Sequence, residues 1–479
     1  MLLADLLKGI KYSTSADPAE NIEALTVDSR KAAKGVLFCC MKGLTRDGHD
    51  YAAQAAEAGA LVAVDHDMGI PGQIIVDNTR LAFSDICENW FGNPLRRLKL
   101  VGVTGTNGKT SITYMLKHIL EAGGHKTGLI GTIQNMIGSR AVETHYTTPD
   151  TFELHQMFGM MADAGCEFCV MEVSSFGLAQ GRVAGLHFNT ACFTNLTQDH
   201  LDTHGTMENY FAAKCMLFEM CDKAVINTDD EWGRRIPLPD GVRLISVAEQ
   251  RNASVMAGDI ECRADGVSFR MTVPETGVSA DVEVGVPGRF TVHNLLCAAG
   301  CAISLGLEPE VIAEALHSFK GVKGRAEVYP TGRDFTVILD YAHSPDGVEN
   351  ILSSMREVCG GGRLVALLGC GGDRDAAKRP LMGEAASHLA DFVIVTSDNP
   401  RSEDPAEIIR QIIPGVEKHT TPYVVIENRR EAIKYAIDNA QPNDVIVLAG
   451  KGHETYQILS TGTIHFDERE VLADILKNS

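Results

Sequence analysis

A chain of 479 residues, with 44% hydrophobic and 22% charged residues, has the composition of a globular protein with about three domains. Its 43 basic and 63 acidic residues give a formal net charge of −20. Such a charge disfavours nonspecific binding to nucleic acids or anionic membranes, which need a basic field, but allows a few local arginines to bind a small anion.

The chain begins with "MLLADLLKGIKYST", which lacks the basic start and long apolar core of a signal peptide. No apolar run reaches the roughly 18 residues of a membrane-spanning helix, so no membrane association is expected. Thirteen scattered cysteines suit a reducing cytosol, and we predict a cytoplasmic protein. The one C-x-x-C, Cys166–Cys169, has no partner pair, which favours buried thiols over a zinc or redox site.

Residues 1–98 form the first predicted domain. Its predicted strands are "ALTVDSR", "GVLFCCMKG", "LVAVD" and "QIIVDN", and "YAAQAAEAG" is a helix that ends at Gly59. "FGNPLRRLKL" is predicted to be the linker to the second domain.

Residues 99–327 form the second predicted domain, which begins with an apolar strand, a glycine-rich loop and an amphipathic helix ended by Gly123 and Gly124. Further apolar strands, "EFCVMEVSS", "TACFTN" and "KAVIN", alternate with helices. In residues 241–287, a period of two in "GVSFRMTV" and "VSADVEV" predicts a small antiparallel insertion.

Residues 328–479 form the third predicted domain. Five β-branched-rich apolar runs, separated by helical segments, predict a parallel, doubly wound Rossmann-like sheet. The fold class is therefore predicted to be α/β, with three domains and mostly parallel sheets.

The loop "GTNGKT" departs from the standard phosphate-binding pattern G-x-x-x-x-G-K-S/T. Gly108, Lys109 and Thr110 fit the pattern, but Val103 stands where the first glycine should be. Backbone N–H groups at a helix N-terminus bind anions, the lysine adds a charge, and the threonine hydroxyl is a ligand for Mg²⁺. The strand–loop–helix setting favours a nucleotide site over a plain tight turn. The shifted glycine and the lack of an N-K-x-D motif argue against a GTPase.

Lys214 lies in the middle of a predicted apolar helix face that runs from Met207 to Cys221. A lysine in such a stripe usually extends its ammonium group to solvent. The functional alternative is a buried lysine that is held for chemistry.

Polar residues follow several predicted strands, at the edge where α/β sheets bind ligands. Arg374 and Arg401 indicate an acidic small molecule, because arginine forks bind carboxylates. The alternatives are capping roles and surface histidines, and an ordinary helix start at "SDNPRSEDPAEII" with Ser402 as its cap. These strand-end residues are Glu172, Ser174, Gln180, Arg182, Asp199, His200, Asp202, His204, Asp340, His343, Arg374, Asp398, Asn399, Arg401, Lys451, His453 and Glu454.

A set of motifs spread along nearly the whole chain resembles the Mur ligase family: "GTNGKT", "MEVSSFGL", "NLTQDHLDTHG", "AAKCMLF", "HN" at 293–294, "KGRAE", "DYAHSPD", "GCGGDRD", "DNPR" and "AGKGHE". The resemblance implies three domains: one that binds the UDP-linked substrate, a central P-loop-type ATPase domain, and a C-terminal Rossmann-like domain that binds an amino acid. It also implies an ATP-dependent, ADP-forming ligase of peptidoglycan precursor synthesis.

The resemblance implies four sets of site residues. The ATP site would contain Gly105, Thr106, Asn107, Gly108, Lys109, Thr110, Ser111, Asn294, Arg325 and Asp340. Two Mg²⁺ ions would use Thr110, Glu172, His200 and Lys214, and the last three would be catalytic together with Lys109. UDP-MurNAc-L-Ala-D-Glu would contact Val27, Ser29, Thr147, Thr148, Ser174, Gln180 and Arg182, while residues 44–46 match the family least. meso-Diaminopimelate would contact Arg374, Asp398, Asn399, Pro400, Arg401, Gly450 and Glu454.

Lys214 matches a family lysine that carries a CO₂-derived carbamate, a carboxylate-like group that suits a hard cation. The implied reaction joins diaminopimelate to the D-Glu γ-carboxylate through an acyl phosphate. The alternatives are a ligase that adds lysine or another diamino acid, a folyl-glutamate ligase, and a nucleotide-dependent switch. A monomer with no nucleic-acid or membrane partner is expected.

Overall fold

The computed structural model describes residues 1–43, 46–144 and 146–478, apart from the side chains of Asp202 and Asn478. Residues 44 and 45, in the segment where the family match was weakest, lie outside this part. The described strands form three large sheets and one hairpin, and the large sheets are mostly parallel. The predicted α/β class with three sheet-containing domains is confirmed.

The first sheet has five strands in the order β1-β5-β4-β3-β2, with only β1 antiparallel to its neighbour. The predicted helix ends as expected at Gly59, whose φ is +91°. The elements of this region are α1 (Leu3–Leu6), β1 (Tyr12–Thr14), β2 (Ala24–Thr26), β3 (Val36–Cys39), α2 (Ala52–Glu57), β4 (Leu61–Val64), β5 (Ile74–Val76) and α3 (Thr79–Trp90).

The second sheet has eleven strands in the order β16-β15-β14-β13-β12-β11-β6-β10-β7-β8-β9. Its elements are β6 (Lys99–Thr104), α4 (Lys109–Ala122), β7 (Thr127–Ile130), β8 (Asn135–Ile137), β9 (Arg140–Val142), α5 (Thr151–Asp163), β10 (Phe168–Glu172), α6 (Ser175–Ala179), β11 (Phe188–Phe193), α7 (Leu201–His204), α8 (Met207–Cys215), β12 (Cys221–Asn227), β13 (Arg243–Ala248), β14 (Val255–Arg263), β15 (Gly266–Val273), β16 (Val278–Val284), α9 (Arg289–Ser304) and α10 (Pro309–His317).

The segment 241–287 is antiparallel in part, as predicted, but it is not a separate insertion. β13 pairs in parallel with β12, and β14 pairs in parallel with β13. In this segment β15 runs in the opposite direction and is antiparallel to both of its neighbours, β14 and β16. The edge of β12 offers backbone donors and acceptors that need partners, and this segment supplies them by extending the central sheet.

The third sheet has the order β17-β18-β22-β19-β20-β21 and is parallel except at β17, which confirms the Rossmann-like prediction. Its elements are β17 (Glu327–Tyr329), β18 (Thr336–Asp340), α11 (Pro345–Val358), β19 (Leu364–Leu368), α12 (Lys378–Leu389), β20 (Phe392–Val395), α13 (Pro405–Val416), β21 (Tyr423–Val425), α14 (Arg429–Asp438), β22 (Val445–Ala449), the hairpin β23 (Tyr456–Leu459) and β24 (Gly462–His465), and α15 (Glu468–Asn478).

The buried apolar face of α4 packs against β10 and α9, which fixes the start of α4 beside the strand ends of the central sheet. All thirteen cysteines are free, and Cys166 and Cys169 are buried, as expected for structural thiols. In the part of the chain that the structure describes, none of the helices has the length and apolar character to cross a bilayer.

Candidate active site

The glycine-rich loop joins β6 to α4 and is pressed against its neighbours. Gly105 and Gly108 have φ angles of +147° and +87°, which favour glycine. A Cβ on Gly105 would lie 1.8 Å from Thr194 Oγ1, and one on Gly108 would lie 2.3 Å from Asn294 Oδ1. Both glycines are therefore required by close approach, and Asn294 lies against the loop.

Lys109 is folded back over this loop. Its Nζ donates to the carbonyl oxygens of Gly105, at 2.9 Å, and Thr106, at 2.8 Å. Burial lowers the pKa of Lys109, and the charge of Glu172 opposes that shift. Ser111 lies half-buried in the first turn of α4. A cation and the backbone N–H groups of a helix N-terminus thus converge where an anion would bind.

Glu172 and Thr110 form a buried pair at the end of β10. Thr110 Oγ1 lies 3.1 and 3.0 Å from the two Glu172 carboxylate oxygens, and Thr132 donates to Glu172 through its backbone N–H and its hydroxyl. Arg325 Nη2 donates to Thr110 Oγ1 at 3.3 Å. A hydroxyl and a carboxylate in contact offer the hard oxygen ligands that Mg²⁺ prefers.

Lys214 is 1% exposed, so the interpretation that it extends to solvent is wrong. The predicted helix face is interrupted, because α8 ends at Cys215, a 3-10 turn covers Met216–Met220, and β12 begins at Cys221. Lys214 Nζ donates to Gly105 O at 2.7 Å, and it forms no ion pair with a carboxylate in the described part of the chain. Burial lowers the pKa of Lys214 well below its ordinary value, and the Lys109 charge acts in the same direction.

Tyr210 connects the parts of this site, although sequence reasoning treated it only as an apolar residue. Its hydroxyl lies 3.2 Å from Thr106 Oγ1, and Lys214 Nζ lies 4.4 Å from its ring centre. His200 also packs against the Tyr210 ring, with centroids 6.1 Å apart. The sequence did contain a signal for this contact, because Tyr210 and Lys214 are spaced by one helical turn and so lie on the same face of α8.

His200 is 59% exposed and has a positive φ of 54°. Its Nε2 lies 3.5 Å from Asp199 Oδ2. Of the four predicted Mg²⁺ ligands, Thr110 and Glu172 contact each other. His200 packs against Tyr210, and Lys214 contacts Tyr210 and the glycine-rich loop.

The third domain reaches the glycine-rich loop through Asp346, at the start of α11. Its Oδ2 accepts hydrogen bonds from Asn107 Nδ2 and Thr197 Oγ1, each at 2.8 Å. Asp340 accepts from the backbone N–H groups of Ala326, at 2.7 Å, and Ala342, at 2.8 Å. Burial raises the pKa of Asp340, and the Arg325 charge opposes this. Asp340 thus anchors the chain where the second and third predicted domains meet.

The residues predicted for the UDP-linked substrate lie in two places. Thr148 Oγ1 donates to the backbone oxygen of Glu172 at 2.9 Å, and Arg182 Nη1 donates to Thr148 O at 2.7 Å. Val27 and Ser29 lie in the first domain, and in the described part of the chain no hydrogen bond or ion pair joins them to this network. The network contains Thr147, Thr148, Ser174, Gln180 and Arg182.

The residues predicted for diaminopimelate meet at the carboxyl edge of the third sheet. Asn399 Nδ2 donates to Glu454 Oε2 at 2.8 Å. Gly450 lies directly against Asp398, since a Cβ there would be 2.8 Å from Oδ2. Pro400 O accepts from the Glu403 N–H at 3.0 Å.

Two arginines lie beside these residues. Arg401 Nη1 donates to Gly372 O at 2.8 Å, and Arg374 is exposed beside the same glycine turn. The alternative interpretation of this segment, an ordinary helix start capped by Ser402, names the wrong cap residue. Asp404 caps α13, while Ser402 Oγ donates to Asp373 Oδ1 at 2.6 Å.

Comparisons with known proteins agree with this architecture. Three family models match the chain: the Mur ligase family catalytic domain over residues 21–85, the Mur ligase middle domain over 103–302, and the Mur ligase glutamate ligase domain over 324–452.

The chain is 48% identical to a UDP-N-acetylmuramoyl-L-alanyl-D-glutamate–2,6-diaminopimelate ligase of Caldanaerobacter subterraneus subsp. tengcongensis, with 100% of both chains covered. It is 44% identical to the protein of that name from Clostridium botulinum, with 98% of this chain and 99% of that protein covered.

A solved structure of a ligase with the same name is 30% identical and superposes with a TM-score of 0.74, covering 100% of this chain and 99% of that one. The D-alanyl-D-alanyl-adding ligase of Acinetobacter baumannii, at 18% identity and a TM-score of 0.62, covers 99% of this chain and 98% of its own, and shares the fold. The chain therefore belongs to the Mur ligase family.

Proposed function

We propose that the protein is an ATP-dependent, ADP-forming ligase that joins meso-diaminopimelate to the D-Glu γ-carboxylate of UDP-MurNAc-L-Ala-D-Glu in peptidoglycan precursor synthesis. The observation that carries this proposal is the convergence of the glycine-rich loop, the Thr110–Glu172 pair, Lys109 and the buried Lys214 around Gly105. The names of relatives at 44–48% identity supply the substrates.

The reaction must first give the carboxylate a leaving group, because an amine and a carboxylate do not condense readily in water. A γ-carboxylate oxygen attacks the γ-phosphorus of ATP, the bond to the β-phosphate oxygen breaks, and ADP leaves. The neutral amine of diaminopimelate then attacks the acyl carbon, phosphate leaves, and the amine loses a proton. No protein nucleophile is required.

Positive charge is what the first step needs, because two anions must approach each other. Lys109 lies over the loop and Arg325 beside Thr110, so both cations lie at the proposed ATP site. In a site with little water, such fixed charges stabilise a transferring phosphoryl group. Gly105–Ser111, Asn294, Arg325 and Asp340 would bind the nucleotide.

The adjoining hydroxyl and carboxylate of Thr110 and Glu172 fit Mg²⁺, and His200 would add a ligand. When bound, Mg²⁺ supplies charge stabilisation at the phosphates. Lys214 cannot bind a cation as an ammonium group. Burial lowers its pKa and so favours the neutral amine, which reacts with CO₂ to give a carbamate and a proton. We therefore propose that Lys214 acts as a carbamate.

The predicted division of labour places the UDP-linked substrate on residues 1–98 and the adjoining Thr148–Arg182 network, ATP on 99–327, and diaminopimelate on 328–479. The contact of Asp346 with Asn107 supports a reaction centre between the last two regions. Free thiols suit a reducing cytoplasm, where we expect the protein to act as a monomer.

The test supplies purified protein with ATP, Mg²⁺, UDP-MurNAc-L-Ala-D-Glu and one amino acid at a time: diaminopimelate, lysine, ornithine or glutamate. We expect stoichiometric ADP and a product of the tripeptide mass with diaminopimelate alone. Turnover with lysine in its place would contradict the substrate assignment, and ADP formation that needs neither acceptor would indicate a nucleotide switch.

A further inference from the structure

Arg379 is a buried arginine outside every set of residues predicted to bind a substrate. It lies at the start of α12 and is 1% exposed. Its Nη1 and Nη2 donate to the two carboxylate oxygens of Glu403, at 2.9 and 2.8 Å, which is a bidentate fork that only arginine can form. Nη1 also donates to Gln411 Oε1 at 2.8 Å, and Nη2 to Gly371 O at 3.2 Å. One guanidinium group thus joins α12 to α13 and to two turns of the chain.

Those two turns carry the arginines that are predicted to bind the acceptor. We call them the arginine turns: residues 371–374 contain Arg374, and residues 400–403 contain Arg401. Gly371 lies against both arginines, since a Cβ there would be 2.8 Å from Arg401 Nη1 and 3.7 Å from Arg374 Cγ. The buried guanidinium group therefore donates to the residue on which both arginine side chains rest.

Glu403 ties one arginine turn to the other. Its Oε1 accepts from Arg379 Nη2 and from the backbone N–H of Asp373. Beside it, the Gly372 N–H donates to Asn399 O at 2.9 Å. Loss of the Arg379 fork would free the Glu403 carboxylate, and with it the hydrogen bond that holds Asp373.

Both arginine turns contain a residue in an unfavourable backbone conformation. Asp373 has a φ of +54° and Arg401 a φ of +53°, in the left-handed region that residues with a side chain seldom adopt. Such a conformation persists only where the surrounding contacts impose it. In addition, the two guanidinium groups of Arg374 and Arg401 repel each other when they are held close together. A fixed support behind the turns is therefore needed to keep this arrangement.

We propose that Arg379 is a positioning residue, which acts through Glu403 to hold both arginine turns in place, so that Arg374 and Arg401 are ready to bind a carboxylate of the acceptor. This inference rests on the proposed function for the identity of that acceptor. Donors that are already in place bind a ligand more tightly, because ordering them on binding costs free energy.

The test measures the KM of each substrate for wild type, Arg379→Met, Glu403→Gln and the double variant. Arg379→Met is expected to raise the KM for diaminopimelate by about tenfold or more, because the two arginines lose their fixed geometry. Glu403→Gln should raise it less, and the double variant should not exceed Arg379→Met, since the two residues act as one unit. The KM values for ATP and the UDP-linked substrate should stay unchanged.

Three kinetic results would overturn the inference. The first is a double variant whose KM shows the product of the two single effects, which would mean that Arg379 and Glu403 act independently. The second is an equal rise in the KM for ATP. The third is a wild-type KM in Arg379→Lys, which keeps the charge but cannot form the fork.

Arg363→Met is the matched control for a loss of stability alone. Arg363 Nη2 lies 2.6 Å from the buried Asp444 Oδ2, so this variant also breaks an ion pair with a buried carboxylate. Arg363 directly precedes β19, whereas the arginine turn 371–374 follows that strand, so the control lies at the opposite edge of the third sheet. The control should lower Tm and leave the KM for diaminopimelate unchanged, and a rise equal to that of Arg379→Met would overturn the inference.

Hydrogen exchange provides a readout that needs no substrate. Backbone amides of the arginine turns should exchange about tenfold faster or more in Arg379→Met than in wild type, and at the wild-type rate in Arg363→Met. Equal protection in wild type and Arg379→Met would overturn the inference. If Arg379→Met fails to fold, Glu403→Gln carries the same comparison, because the Glu403 side chain is 30% exposed. Failure of the wild type to use diaminopimelate would reject the proposed function and leave the exchange result to decide the role of Arg379.

Discussion

Replacing Lys214 by methionine is expected to abolish turnover without destabilising the protein. Methionine keeps most of the side-chain volume, so it leaves little cavity. The carbonyl oxygen of Gly105, which accepts from Lys214 Nζ, also accepts from Lys109 Nζ at 2.9 Å and therefore keeps a donor. The variant removes the amine without leaving an unpaired backbone group.

The expected change in the stability of Lys214→Met follows from two opposing contributions. The lost hydrogen bond involves a charged donor and is worth about 1.5–3 kcal/mol. Against it, burying an ammonium group without a counter-charge costs several kcal/mol. The change in the free energy of unfolding at neutral pH should thus lie between about zero and a few kcal/mol of stabilisation, a Tm shift of about 0 to +8 °C.

The pH dependence of that stabilisation has a definite sign. Burial lowers the pKa of Lys214 in the folded protein, so the unfolded chain binds more protons between that pKa and the ordinary value of 10.5. Wild-type stability therefore rises with pH across this window when CO₂ is excluded. The advantage of Lys214→Met should be full below the folded pKa and should shrink as pH approaches 10.5.

The assay measures Tm and turnover in buffers with and without bicarbonate. Wild-type turnover should fall when CO₂ is removed and recover when it returns, whereas Lys214→Met should lose at least about 100-fold in both buffers. Lys214→Ala leaves a cavity, and added bicarbonate should restore part of its turnover. Lys117→Met is the matched control, because Lys117 is also buried but is paired with Glu121 at 2.6 Å, away from the loop. It should retain turnover and the wild-type response to bicarbonate.

Two results would refute this reasoning. Full turnover in Lys214→Met would show that the buried amine takes no part in the reaction. A Tm lowered by more than about 5 °C, with turnover lost in parallel, would show that Lys214 holds the fold together.

Three further substitutions test separate parts of the site. Gly105→Ala places a Cβ 1.8 Å from Thr194 Oγ1 and should weaken ATP binding by about 100-fold or more, so an unchanged Kd by titration would contradict the loop assignment. Glu172→Gln keeps the shape of the side chain but loses its charge. Turnover should fall by about 10²–10³ and the Mg²⁺ requirement should rise, whereas an unchanged Mg²⁺ titration would argue against a ligand role. Arg401→Lys should raise the KM for diaminopimelate about tenfold more than that for ATP, and equal loss would indicate a folding role.

The sequence located the strand ends of the site because hydropathy and β-branching report buried parallel strands directly. Glu172 ends β10, Asp340 ends β18, and Gly450 follows β22, as the apolar runs predicted. The polar residues at those ends meet because parallel strands bring their carboxyl ends to one edge.

The burial of Lys214 could not be predicted from the sequence. A helical projection assumes that one helix continues through its whole window, and α8 stops one residue after this lysine. The contact of Asp346 with Asn107 joins residues 239 positions apart, and no local pattern reports how two domains dock. Gly102, which directly precedes the Val103 that replaces the first glycine of the phosphate-loop pattern, has a packing role, since a Cβ there would lie 2.9 Å from the Phe188 ring.

Transfer of oxygen from substrate to phosphate tests the central claim most directly. UDP-MurNAc-L-Ala-D-Glu labelled with oxygen-18 at both oxygens of the γ-carboxylate would be converted with ATP and diaminopimelate, and the released phosphate analysed by mass. Activation through an acyl phosphate predicts one labelled oxygen in each phosphate and one in the new amide. Phosphate that carries no label would contradict that mechanism.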